Sequence, residues 1–143
     1  MTTTHEADLS PILDVVDGSR IQGDGDRAVY LAEVHWTPLG PMYTRRYIPN
    51  PDTYNNLFRN WDGILVLSRS DLSSIFRGRD LPDGATLVKS DDGSSQIFLL
   101  DYDGKRPILL PGIFEAYWFD PGRVITVPTL LLSIIHESRW VGA

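Results

Sequence analysis

The chain has 143 residues, a formal net charge of −6, 42% hydrophobic and 22% charged residues, and no cysteine. That length and balance suit a globular protein that can bury a core, and the missing cysteines exclude disulfides, zinc–thiolate sites and thiol catalysis. The acidic balance argues against non-specific nucleic-acid binding, which draws most of its affinity from basic surface.

The N-terminal run "MTTTHEADLSPIL" has neither the basic end nor the apolar stretch of a signal peptide. The best apolar run, "VPTLLLSII" from Val127, is shorter than the roughly 18 residues of a membrane helix. No N-x-S/T sequon occurs. The expectation is a soluble protein, cytoplasmic as synthesised, with no membrane span; unconventional secretion stays open. Residues 1–16 read as an N-terminal extension.

From Asp17 the expected elements follow in order. A strand at Ile21–Gln22 turns through Gly and Asp into a strand at Ala28–Ala32. The segment "EVHWTPLGPMYT", residues 33–44, then reads as a loop insertion that brings His35, Trp36, Met42 and Tyr43 beside the paired arginines Arg45 and Arg46. A strand at Arg45–Ile48 returns. Pro51 suits the first turn of a short helix, with Tyr54, Leu57 and Phe58 on its apolar face at i, i+3, i+4 spacing. A strand at Ile64–Leu67 follows. A second helix starts at Ser68, with Asp71 three residues on as in a capping box, and stops at Gly78.

The pattern then recurs. Shifted by 60 positions, "RRYIPNPDTYNNLFRNWDGILVLSRSDLSSI" lies without a gap on "KRPILLPGIFEAYWFDPGRVITVPTLLLSII". Arg46 falls on Arg106, Pro51 on Pro111, Leu72 on Leu132 and Ile75 on Ile135. Upstream, "DGSRI" parallels "DGATL" and "VYL" parallels "IFL". The second copy should therefore have strands at Leu87–Lys89 and Gln96–Leu100, a type I′ hairpin at Asp103-Gly104, and a return strand at Lys105–Leu109. A helix with Phe114, Tyr117 and Trp118 inward, a strand at Val124–Val127 and a helix from Pro128 toward His136 complete it. The expected organisation is repeat one at 17–78, a linker at 79–82, repeat two at 83–136 and a tail at 137–143. The fold class is α+β, two tandem pseudo-symmetric repeats of short antiparallel strands and short helices sharing one core. One unit of about 60 residues is marginal alone, so the copies should pack together.

These stretches resemble a tandem repeat scattered through bacterial and archaeal proteins, often cell-surface or cell-wall-associated ones. That repeat reads D-G-x-L-(V/I)-(K/R), then (V/I)-Y-L, then (K/R)-R-x-I-P-(D/N)-P-x-T-(F/Y). "RRYIPNPDTY" matches in the first copy, and "DGATLVK", "IFLLDYDGKRPI" and "VPTLLLSI" in the second, which replaces the Pro-Asn-Pro-Asp-Thr run with "LLPGI". The resemblance covers most of residues 17–136. It implies a module with a binding or surface role and brings no site residues.

Positions on which the copies agree are best explained by packing and turns, and positions on which they differ are free for function. Asn50, Asp52, Thr53, Asn55 and Asn56 differ. Either they cap the helix and meet solvent, or they form a polar ligand site beside an aromatic ring, for which a carbohydrate is the natural ligand. The insertion offers exposed aromatics on a scaffolded loop, or a cover for the edge between the units, or a dimer contact. The segment 45–79 carries six arginines against three acids, which is a solvated face or an anion or acidic-partner patch built on Arg45, Arg46 and Arg59.

Other chemistry finds little support. His5, His35 and His136 lack metal-ligand spacing. "GDGD" and "SDDG" hint at calcium but do not continue an EF-hand, and turns explain them. No nucleophile elbow, P-loop or dinucleotide fingerprint occurs. The expectation is a non-catalytic, lectin-like module without cofactor or metal, binding a glycan or cell-surface polymer through Trp36, Tyr43, Arg45, Asn50, Asp52 and Asn56. Alternatives are an interaction or homo-oligomeric assembly module built on the apolar "TLLLSIIHESRW" segment and the Trp36 loop, and a hydrolase using Asp52 and Asp62.

Overall fold

In "VYLAEVHWT" successive side chains must point to opposite faces of a strand, which separates Leu31, Glu33 and His35 from Tyr30, Ala32, Val34 and Trp36. The computed structural model describes residues 9–142; His5 lies outside them. The run forms β2 (Val29–Thr37), between β1 (Arg20–Gly23) and β3 (Gly40–Tyr47). Then come α1 (Pro51–Leu57), β4 (Leu65–Leu67), α2 (Arg69–Ser74) and β5 (Phe76–Arg77). The second half contains β6 (Thr86–Ser90), β7 (Ile97–Asp101), β8 (Gly104–Ile108), α3 (Pro111–Ala116), β9 (Ile125–Val127) and α4 (Thr129–Ile134). The fold is α+β, with one sheet ordered β4-β1-β2-β3-β5 and the other β8-β7-β6-β9.

Read from the other edge, the second sheet runs β9-β6-β7-β8, the order of β4-β1-β2-β3. The three strands before each first helix pair antiparallel, as expected. β4 and β9 instead join β1 and β6 in parallel, because each returns after a helical crossover rather than a tight turn. The segments beyond the second helices also match. Phe76 and Arg77 pair in parallel with Thr44 and Arg45, and Glu137 bridges in parallel to Lys105. Leu81 N donates to Tyr47 O and Val141 N to Pro107 O. Residues 79–82, expected as a linker, and residues 137–141 of the expected tail 137–143 thus dock along β3 and β8, and both Leu81 and Val141 are buried.

Several local expectations need correction. Segment 33–44 is not a loop. It lengthens β2 and β3 into a hairpin in which His35 pairs with Met42 and Trp36 with Pro41, leaving only Pro38 and Leu39 as turn residues. Pro41 is tolerated because β5 reaches only Thr44 and Arg45, so the edge beside Pro41 has no strand that needs its missing N–H. The Asp103-Gly104 turn is displaced: Tyr102 and Asp103 turn, and Gly104 pairs with Asp101. Gly104 has φ 121°, and a Cβ there would run into the carbonyl of His136. Glycine is required by the close passage of the C-terminal chain. The helix from Ser68 ends at Ser74, not Gly78, and the chain turns into β5. α3 ends at Ala116, so Trp118 is not on its face; it takes φ 61° and lets Phe119 enter the core.

One cluster of buried residues spans both sheets, with Leu31, Tyr54, Leu57 and Phe58 packed against Leu87, Leu99, Tyr117 and Phe119. A smaller cluster, including Val15, Ile21, Tyr30 and Leu72, fills the outer face of the first sheet under α2. The halves are cross-linked by backbone as well. Phe58 bridges to Phe119, Arg59 N donates to Trp118 O, and Asp120 N donates to Leu57 O. Each Asp-Gly turn serves the opposite half. Asp17 accepts from Tyr117 Oη at 2.6 Å, and Asp83 accepts from Asn50 Nδ2 at 2.8 Å.

Between the sheets sits a closed set of four charges. Arg46 donates to Glu33 at 2.9 Å and to both oxygens of Asp101, and Arg106 donates to both oxygens of Glu33 and, at 3.1 Å, to Asp101. Every member is nearly inaccessible. Burial pushes the Glu33 and Asp101 carboxyls up, but the adjoining guanidiniums outweigh it and hold Glu33 below its ordinary range and Asp101 at about 2. All fully buried side-chain polar atoms among the described residues have partners.

Candidate functional site at the start of α1

Asn50 has the extended backbone of an N-cap, and its Oδ1 accepts from Thr53 N at 2.8 Å, which satisfies one of the open N–H groups of α1. Pro51 occupies the first helical position, where its missing N–H costs nothing. The next turn buries Tyr54 and Leu57. The chain then bends back through Asn60 and lays Trp61 on Tyr54, with ring centroids 3.7 Å apart and planes at 18°. Trp61 Nε1 donates to Asn55 Oδ1 at 3.1 Å, which holds the indole in place.

These residues enclose a cavity of about 220 Å³ lined by Arg27, Tyr47, Asn50, Tyr54 and Trp61 among others. Tyr54 is fixed from behind: Arg20 donates to its hydroxyl at 2.7 Å, and the hydroxyl donates to Asn60 O. Burial raises its pKa against the opposing effect of Arg20, so the phenol stays protonated. Trp61 is 47% exposed. The cavity thus offers aromatic faces, an amide and an exposed guanidinium. It contains no nucleophile with a partner base, and the most perturbed carboxyls, Glu33 and Asp101, lie between the sheets instead.

The six residues expected to bind ligand fall into two places. Trp36, Tyr43 and Arg45 share the outer face of the β2–β3 hairpin, where Trp36 pairs with Pro41, Val34 with Tyr43 and Ala32 with Arg45. Trp36 is 69% exposed. Tyr43 lines a separate apolar cavity with Ile12, Leu13 and Phe76. Asn50, Asp52 and Asn56 lie on α1. Of these only Asn50 lines the cavity beside Trp61. Asn56 Nδ2 donates to Ala85 O across the halves, and Asp52 is exposed. Asp62 is exposed as well and lines neither cavity.

The arginine patch is dispersed. Arg46 is buried among the four charges, and Arg59 pairs with Glu115 at 2.7 Å. Arg45 donates to Ile75 O and lies over the Tyr30 ring. Among the described residues no group of three or more His, Asp or Glu could hold a metal ion. The acidic turns are internally bonded: Asp26 Oδ1 accepts from Ala28 N, and Asp91 Oδ1 accepts from Thr129 N and Oγ1 at the start of α4.

Trp61 and Arg27 were not among the expected residues. The signal for Trp61 was present, since it falls opposite Pro121 when the sequence is shifted by 60 positions and so differs between the two aligned stretches. Arg27 carried none, because its place depends on the turn between β1 and β2. No protein family, curated protein or solved structure matches this chain.

Proposed function

We propose that the protein is a non-catalytic binding module that recognises a carbohydrate ring in the cavity at the start of α1. Trp61, propped on Tyr54 with its edge bonded to Asn55, carries this reading. A half-exposed aromatic ring held rigid from behind suits the apolar face of a sugar, and Asn50 and Arg27 supply polar groups at the rim to meet its hydroxyls. A cavity of about 220 Å³ favours a single ring over a long chain. A duplicated unit of the surface-repeat type belongs to the same reading. It is supported by the 60-residue alignment and by the strand order common to both sheets.

The test is a glycan-array screen with labelled protein, repeated with EDTA and with Trp61→Ala and Trp36→Ala. A saturable hit lost in Trp61→Ala and kept in Trp36→Ala supports the cavity. Loss in Trp36→Ala alone would move the site to the hairpin face, and a blank array on folded protein would overturn carbohydrate binding.

One observation favours assembly as a second reading. Leu130, Leu131 and Ile134 on α4 are exposed, whereas Ser70, Asp71 and Ser74 stand at the aligned places on α2. In the first half Ile12 and Val15 pack into the smaller cluster with Ile21 and Leu72, and Tyr43 and Phe76 line a cavity beside them. Light scattering over a range of concentrations tests this reading, and a strict monomer would end it.

A further inference from the structure

A second cavity, of about 350 Å³, opens between the sheets above the four buried charges. Its floor is electrostatically closed. Arg46 and Arg106 direct most of their donors to Glu33, Asp101 and backbone carbonyls, and their charges are matched by the two carboxylates. Its rim is not closed. Arg79 and Arg139 both line the cavity and both are exposed. Neither guanidinium has a salt-bridge partner among the described residues.

The floor holds the rim in position. Arg46 Nε donates to the Arg79 carbonyl at 2.9 Å, and Arg106 Nε donates to the Arg139 carbonyl at 3.1 Å. Two arginines 60 residues apart in sequence are thereby anchored by equivalent bonds on either side of one opening. The Arg79 guanidinium lies over the Tyr102 ring, 3.4 Å from its centroid, which limits its freedom. His35, Thr44 and Ser138 add neutral polar groups, with His35 Nε2 and Thr44 Oγ1 3.2 Å apart. Asp103 is the rim's carboxylate, so the two arginines leave the rim positive on a chain whose net charge is −6.

We infer that this cavity binds a small oxyanion, a phosphate or a carboxylate, between Arg79 and Arg139. Guanidinium groups match the paired oxygens of both, and a charge-assisted bond is stronger where neighbouring protein displaces water. The floor's role is support: its charges cancel among themselves while their hydrogen bonds fix the backbone that presents the rim. His35 fits this setting. Burial and then the positive charge of Arg139 hold its imidazole below the ordinary range, which leaves it a neutral donor or acceptor at the cavity wall. The inference is independent of the carbohydrate site, with which it shares no lining residue.

The test is calorimetric titration of the full chain at low ionic strength with inorganic phosphate and, separately, with succinate. Arg79→Gln, Arg139→Gln, the double variant and Trp61→Ala are run beside it. Both arginines are exposed, so the variants should keep the native near-ultraviolet spectrum. The expected result is saturable binding at one site per chain for at least one of the two anions. Each single variant should weaken it about tenfold, the loss of one charge-assisted bond, and Trp61→Ala should leave it unchanged. The anion that binds identifies the oxyanion class. No saturable heat with either, or wild-type affinity in the double variant, would overturn the inference.

Discussion

Arg46 leaves β3 in the first sheet and closes on the carboxylate of Asp101 in the second, with Nη1 and Nη2 at 2.6 and 2.8 Å from its two oxygens. Glu33 and Arg106 complete the set from β2 and β8, so each half contributes one acid and one arginine. Removing one member of such a buried network leaves the others desolvated and unpaired. Asp101→Ala should therefore cost about 3 kcal/mol in urea unfolding. Asp80→Ala, which breaks the exposed pair with Arg77, should cost less than about 0.5 kcal/mol. Equal effects would show that the buried set contributes nothing special.

The same network fixes the acid limit of stability. Asp101 titrates at about 2 in the folded chain against an ordinary 3.8, and Glu33 is also held below its ordinary range. A depressed folded pKa stabilises above the unfolded value and loses that contribution as pH falls through the folded one. Stability should hold near neutrality and fall between about pH 4 and 2. In Asp101→Asn the fall over that window should be shallower. An unchanged slope in the variant would remove Asp101 from the account.

Gly104 and Gly93 separate two reasons for glycine. Both have positive φ, 121° and 85°, but only at Gly104 would a Cβ meet a neighbour, the carbonyl of His136. Gly93→Ala should cost about 1 kcal/mol, the price of the left-handed backbone alone. Gly104→Ala should exceed it, at about 2 kcal/mol or more, and should loosen the C-terminal segment in hydrogen exchange. The reverse order would mean that residues 136–141 do not hold their place along β8.

Asn50 and Asp52 share the first turn of α1 yet differ in role. Asn50→Ala removes the cap on Thr53 and the bond to Asp83, and should cost about 1 kcal/mol or more. Asp52→Ala removes an exposed carboxylate with no hydrogen-bond partner among the described residues, and should stay within about 0.5 kcal/mol in thermal unfolding.

The elements were legible where one rule of spacing dominated. Alternation in "VYLAEV" and "IFLL", Pro51 and Pro111 at helix starts, and Ser68 three residues before Asp71 all placed elements to within a few residues. The extended hairpin was misread because Pro38, Gly40 and Pro41 signal a loop, while the edge position that makes Pro41 harmless depends on where β5 ends. The partner of Asp101 was out of reach for a related reason. Nothing local links residue 101 to residue 46, and the pairing appears only when two sheets face each other. Trp61 lay between these cases: its difference from Pro121 was visible, and its stacking on Tyr54 was not.

The carbohydrate reading turns on the Trp61 ring, and the most direct measurement is saturable glycan binding by the wild-type chain beside Trp61→Ala. The account predicts a hit on the array that Trp61→Ala abolishes and that Arg79→Gln/Arg139→Gln retains. A blank array on folded protein, or a hit that survives the loss of Trp61, would contradict it.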